Sequence, residues 1–377
     1  MSHQERIRER VMDFRSISKF NAVVNALSGN FLPLDREDSG LGFASTTYMI
    51  FAWFVKLIYA AATTYGLVYH ESVVVALNTS ATTMLVVTEM LIVSFYMNLR
   101  RDYLRNLVGK FNGIIIDSKD MRQRIRETVD PPMKRLRIYT IAAVTSVALW
   151  AGMPIARVFE KDEFTYTDFN IPTYFPGIPF TVNVFVVAVI ADGIGAVYVI
   201  FTKNSLDVYV TYFVALLTAE YRYVREQMTS ALHQDNGDGD EKVVLRSLEK
   251  CIRHHIVVIE IGQMLTELLS LNVGLTYLSC ILRFCLQGFF LFTVYILCWC
   301  IQELLESSTS ITDDAFHENW HGRGDAVKSI FRTVALSNQI ECRLTAFRIV
   351  DLTVPAFRNP SPFPSRFFFS ILVLPST

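Results

Sequence analysis

The apolar residues of this chain are gathered into blocks long enough to cross a bilayer, and that constrains its fold more than any other feature. A hydrocarbon core takes about 20 apolar residues per helix. Blocks of that order run from Thr47 to Tyr69, Val73 to Asn98, Arg137 to Phe159 and Pro179 to Phe201. A further stretch from Ile256 to Glu303, interrupted mainly by Glu260, Glu267 and Arg283, is too long for one span. It predicts two, broken near Arg283. Backbone polar groups inside a bilayer must be satisfied within their own segment, so these blocks predict helices. A seventh candidate, within 351–377, is weak. Only 19% of the 377 residues are charged and 51% are apolar. A soluble domain carries about 25% charged residues. A soluble multidomain protein and a disordered chain are therefore both excluded. The net charge of -1 removes nucleic acid as a partner.

Cytoplasmic loops retain Lys and Arg, and this sets direction. Residues 1–46 carry six, 99–137 carry eleven, 203–255 carry seven and 305–345 carry four. The intervening loops carry only Lys161 and Arg283. The split predicts a cytoplasmic N-terminus at 1–46, the reverse of a rhodopsin-type receptor. It also predicts six spans within 47–304, a cytoplasmic helical segment at 305–350 and an atypical seventh span in 351–377. No cysteine precedes Cys251, so the extracellular disulfide of rhodopsin-type receptors cannot form. No apolar signal segment occurs in the first twenty residues.

The cytoplasmic segments at 99–136 and 204–255 predict helical extensions of the spans. Nothing breaks a helix between Asn204 and Ser230, where Leu206, Val210, Phe213, Leu217, Tyr221, Val224 and Met228 recur at spacings of three and four. The polar run 233–240 ends that helix. A second then rises through Leu245, Leu248, Ile252 and His255 into the fifth span. The stripe predicts packing within the chain ahead of a subunit interface.

Leu248-Glu-Lys-Cys251-Ile252-Arg-His254-His255, opening the fifth span, resembles the corresponding motif of insect odorant receptors. Ala315-Phe-His-Glu-Asn-Trp320, Phe331-Arg332, Leu344-Thr-Ala346-Phe347 and the loop Ile171-Pro172-Thr-Tyr174-Phe-Pro176 are similar to the same family. The resemblance implies an all-α membrane protein with seven transmembrane helices and an intracellular helical anchor domain. It also implies a subunit of a ligand-gated, non-selective cation channel, working as a hetero-tetramer with a co-receptor. Such a receptor detects small volatile odorants in the plasma membrane of a sensory neuron dendrite. It needs no cofactor and is not an enzyme. Members of the family end in a smooth pore helix. Here Pro360, Pro362 and Pro364, between Arg358 and Arg366, interrupt it, because proline removes a donor and clashes with the preceding turn.

An odorant site is expected in the extracellular halves of the spans, among apolar residues with a few hydroxyls. Depth along the spans selects Thr83, Met84, Trp150, Met153, Phe185, Val186, Phe289, Phe292 and Tyr295. Area burial at roughly 25 cal/mol per Å² would supply affinity and favour broad tuning. Lys56 and Glu89 each lie about 13 Å above the inner ends of their spans and are expected to form an intramembrane ion pair. Asp192 and Glu267 have no evident partner in the sequence. His317-Glu318-Asn-Trp-His321 fits the zinc-protease pattern H-E-x-x-H. Gly322 and Gly324 end any helix there, however, so neither a metal nor hydrolysis is expected. All six cysteines lie in spans or on the reducing side, which predicts free thiols.

Overall fold

The computed structural model describes residues 14–17, 19–35, 42–68, 73–115, 118–160, 162–165, 168–170, 180–233, 241–287, 292–316, 324–330, 345–346 and 350–351. The chain opens with α1 (Phe14–Ile17) and α2 (Lys19–Leu27) and then crosses through α3 (Phe43–Val68) and α4 (Val73–Leu99). Helices α5 (Arg101–Ile114) and α6 (Lys119–Thr128) follow, α5 bent by 70° from α4 at Arg100. Helix α7 (Asp130–Gly152) carries prolines at its first positions, where no intrahelical donor is lost. It tightens into a 3₁₀ segment at Met153–Phe159. A two-residue ladder joins β1 (Glu163–Phe164) to β2 (Phe180–Thr181). Then come α8 (Val182–His233), α9 (Glu241–Gln287), α10 (Phe292–Phe316) and the short pair β3 (Thr345–Ala346) and β4 (Val350–Asp351).

Helices α3, α7, α8 and α9 are each long and apolar enough to cross a bilayer, and α4 joins them if it and bent α5 count as one span. The chain is a multi-pass, helical membrane protein. Helix α10 stands where the sixth span is predicted. The break expected near Arg283 comes later, because α9 runs unbroken through Arg283 to Gln287. The predicted helical segment 305–350 is helical through Phe316 and at 325–330, but Thr345–Ala346 pairs with Val350–Asp351 as β3–β4. The seventh candidate beyond Asp351 lies outside the described residues.

Helix α8 has 52 residues, about 78 Å at 1.5 Å per residue. It is more than twice as long as the bilayer core is thick. Its predicted stripe from Leu206 to Met228 is no more than 2% exposed at any of the named positions. Burial goes further than the stripe, since Val208, Tyr209, Tyr212, Val214, Leu216 and Ala219 are buried as well. A helix apolar on every face must be surrounded. Helices α2, α6, α7, α9 and α10 surround this one. The N-terminal segment completes the enclosure. Phe14 packs edge-on to Tyr212 with ring centroids 4.7 Å apart, and its carbonyl accepts the Tyr212 hydroxyl at 2.6 Å. The Tyr209 hydroxyl donates to the Pro33 carbonyl at 2.6 Å. Asn25 fastens the turn between α2 and Pro33, donating to the Leu32 carbonyl at 2.8 Å and accepting the Leu32 N–H at 3.0 Å.

Helices α3 and α8 approach closely at Gly195. A Cβ there would lie 2.4 Å from Cδ2 and 2.8 Å from Cβ of Tyr59. The obstacle is the root of a ring and has little room to move. Two residues away, a Cβ on Gly193 would meet Ala151 at an ordinary 3.5 Å. Gly195→Ala should therefore lower stability by about 1–3 kcal/mol, as overpacking does, while Gly193→Ala leaves it near wild type. Thermal unfolding of the detergent-solubilised protein checks the contrast.

Candidate functional site

A buried charge network ties α4, α8 and α9 together. Lys203 Nζ lies 2.9 Å from Glu89 Oε1 and 2.5 Å from Asp207 Oδ1, one turn on along α8. The Thr276 hydroxyl donates to Glu89 Oε1 at 2.9 Å, and the Ser279 hydroxyl donates to Glu89 Oε2. Both Glu89 oxygens are thus satisfied by polar groups of two other helices. This arrangement makes a carboxylate tolerable at bilayer depth. The expected Lys56–Glu89 pair does not form. Lys56 is fully buried, its Nζ makes no hydrogen bond among the described residues, and it sits 4.5 Å from the centre of the Trp53 ring. Matched depth along two helices says nothing about rotation around them, and Lys203 holds the position facing Glu89. Glu267, unpartnered by sequence, accepts the Tyr103 hydroxyl at 3.2 Å. Asp192 is buried within α8.

Towards the other end of α8, an apolar cavity of about 350 Å³ lies between α7 and α8 and opens on one side. Ala148, Ala151 and Gly152 of α7 and Gly193 of α8 make room for it, and Ile155, Val189, Ile190, Ile194 and Val197 give it apolar walls. Tyr198 brings a hydroxyl to the lining, 3.2 Å from that of Tyr48. The volume falls within the range of small-molecule sites, which are mostly apolar with a few polar groups. One turn above Val189, Phe185 anchors an aromatic cap built with Phe164, Phe169 and Phe180.

The predicted ligand residues are placed unevenly around this region. Phe185 is fully buried in the cap, and Val186 is half-buried beside it. Thr83 and Met84 are half-buried on α4, with Met84 Sδ 4.0 Å from the Thr64 hydroxyl. Trp150 and Met153 are 38% and 63% exposed. Phe289 and the side chains of Phe292 and Tyr295 lie outside the described residues. Sequence depth missed Phe164, because it sits in a two-residue strand outside the spans. The cavity's small residues were also missed, although Ala148, Ala151 and Gly152 recur at the spacing of one helix face.

The motif that opens α9 lies in the packed region around the second half of α8. His254 Nε2 lies 3.0 Å from Glu220 Oε2, and the Glu220 carboxyl is pushed up by its complete burial, a rise that His254 opposes. Cys251 donates its thiol to the Val224 carbonyl at 3.4 Å, and burial pushes that thiol up to about 12. His255 is buried beside the Tyr221 ring, and burial, aided by His254, pushes it down to about 4. These residues lock α9 to α8. Trp320 and the His317–His321 pattern lie outside the described residues. Among the described residues no group of three His, Cys, Asp or Glu could hold a metal.

The family model described as 7tm Odorant receptor matches residues 72–294, more than half of the chain. The chain belongs to the odorant receptor family. That membership disfavours both the rhodopsin-type and the metalloprotease readings. Odorant receptor 67a of Drosophila melanogaster is 22% identical over 170 residues, which cover 40% of this chain. The match spans 41% of that relative's length. The insect olfactory receptor OR5 of Machilis hrabei, solved in complex with eugenol, superposes with a TM-score of 0.74 at 13% identity. The match covers 96% of this odorant receptor and 99% of that chain. A second OR5 structure gives 0.75 at 14% identity, with coverages of 96% and 98%. At these identities the likeness establishes the fold.

Two predictions follow from the buried ionisable groups. Lys203→Met strands two carboxylates and should cost about 3–5 kcal/mol, as breaking a buried pair does. Glu89→Gln leaves Lys203 with Asp207 and should cost less, and Lys56→Met should be neutral or stabilising; denaturation in detergent ranks the three. His255 should make the protein acid-sensitive. Its pKa is depressed from 6.5 to about 4 on folding, so the unfolded chain binds the proton first. Stability is then held above pH 6.5 and lost as pH falls towards 4. His255→Leu should flatten that part of a melting-temperature profile.

Proposed function

We propose that this chain is the odorant-sensing subunit of a cation channel in the plasma membrane of a sensory neuron dendrite. In this reading it works as a hetero-tetramer with a co-receptor. The observation that carries the reading is the apolar 350 Å³ cavity between α7 and α8, in a chain of the odorant receptor family. Its opening suits a small volatile molecule that partitions into lipid. Its lining offers one hydroxyl, from Tyr198, so affinity rests on buried area and the ligand carries at most one polar function. The solved OR5 complex supports a small aromatic molecule as one occupant by analogy of fold.

The basic residues support a cytoplasmic N-terminus, which puts the cavity in the outer half of the bilayer and the lower half of α8 in the cytosol. An odorant would then act at one end of a helix whose other end is packed into the cytoplasmic domain. Cation flow would follow directly from that movement, without a G-protein. The three prolines in 358–366 weaken the last span and make the co-receptor's contribution to the pore indispensable.

Whole-cell recording in cells without functional G-protein signalling tests this reading. Odorant-evoked cation current should appear when the chain and co-receptor are expressed together, and neither should be replaceable. Current that needs G-proteins, or that this chain carries alone, would count against it.

A further inference from the structure

The cavity between α7 and α8 is walled by alanine, glycine, isoleucine, valine and one tyrosine. The Tyr198 hydroxyl is therefore the one polar side-chain group among the described residues that line it. What this hydroxyl can offer a ligand depends on where its single proton points, and two neighbouring oxygens decide that. The Tyr48 hydroxyl of α3 lies 2.7 Å from the carbonyl oxygen of Leu27, the last residue of α2. A carbonyl can only accept, so the proton in that bond belongs to Tyr48. The Tyr198 hydroxyl lies 3.2 Å from the Tyr48 hydroxyl. Tyr48 has already committed its one proton, so the proton in this second bond comes from Tyr198. The relay runs one way, from Tyr198 to Tyr48 to Leu27. It starts from fixed rings: Phe31 packs edge-on to Tyr48 at 6.0 Å, and Phe51 edge-on to Tyr198 at 6.3 Å. It ends on a carbonyl of the last turn of α2, a group that needs a donor from outside its helix.

Tyr198 is thus left with a lone pair and no free proton for the cavity. The helical walls lean the same way. An N–H inside a helix is committed to the carbonyl one turn before it, whereas that carbonyl keeps a second lone pair. From this directionality we infer that the cavity is a hydrogen-bond-acceptor site, selective for ligands whose one polar group is a donor. An aliphatic alcohol or a phenol fits; a ketone, ester or ether does not. This deepens the odorant-receptor reading and rests on it. An alcohol gives its proton to Tyr198 and leaves the relay intact. A ketone sets its oxygen against the Tyr198 oxygen, lone pair to lone pair. It can be bonded only if Tyr198 turns its proton into the cavity, which leaves the Tyr48 oxygen without that donor. Either course costs the ketone about one hydrogen bond. Tyr48 is not among the residues lining the cavity, yet it fixes what Tyr198 can recognise; it is a positioning residue.

Heptan-4-ol and heptan-4-one share one carbon skeleton and differ as donor and acceptor. With the full chain purified in nanodiscs, binding is read as the rise in melting temperature over a ligand concentration series. Wild type should bind the alcohol about five- to tenfold more tightly than the ketone, the contribution of one hydrogen bond. Tyr198→Phe removes the acceptor and should weaken the alcohol to the level of the ketone. Tyr48→Phe should act in the opposite sense. It frees the Tyr198 proton to turn into the cavity, so the ketone should tighten to the level of the alcohol. A merely structural role for Tyr48 would weaken both ligands alike. An absent or reversed preference in wild type, a preference that survives Tyr198→Phe, or equal weakening in Tyr48→Phe would overturn the proposal. Currents recorded with co-receptor separate it from the receptor reading. Selective binding in a chain that passes no odorant-evoked current would leave the acceptor site standing and remove the receptor reading. Odorant-evoked current from a chain without the selectivity would do the reverse.

Discussion

The enclosure of α8 is the constraint on which the rest of the structure depends. A 52-residue helix that is apolar on every face through its middle cannot stand in water, and only its outer part can face lipid. The lower half must be wrapped by protein. The short helices α5 and α6, parts of α7, α9 and α10 and the N-terminal segment with Phe14 provide that wrapping. The packing domain is therefore the buried half of a long helix with its coat.

Charge is placed where this helix needs fixed neighbours. Lys203 and Asp207 share one face of α8, and Glu89 reaches them from α4, steadied by hydroxyls of α9. Burying these groups costs more than an apolar contact would, and their return is directional: an ammonium between two carboxylates admits few alternative rotations of the helices that bear them. Lower down, Arg222 bonds Glu303, Ser307 and Thr128, joining α8 to α10 and to the end of α6. The apolar seams, by contrast, set distance. Gly195 lets Tyr59 of α3 lie against α8 at a separation no larger residue allows.

The fold was legible in the sequence because its signals are long. Twenty-residue apolar blocks and a three-four stripe sustained from Leu206 to Met228 predict α3, α4, α7, α8 and α9, several to within a few residues. The candidate site was legible only in part. Depth along a helix follows from counting, and Phe185, chosen that way, lies one turn from Val189 of the cavity lining. Rotation about the axis does not follow from counting, so Trp150 and Met153 came out exposed and Lys56 missed Glu89. Lys203 was concealed for another reason. It was read as a loop charge, although Asp207 four residues on marked a helical pair. Phe164 gave no periodic signal, since a two-residue strand is too short to carry one.

The central claim is that α8 joins an outward-facing site to a cytoplasmic packing domain. Two single cysteines test it, at exposed positions towards either end, Thr181→Cys in the adjoining strand and Gln227→Cys on α8. With a membrane-impermeant maleimide on intact cells, position 181 should label at once and position 227 only after permeabilisation. Labelling of position 227 on intact cells, with position 181 protected, would contradict the account.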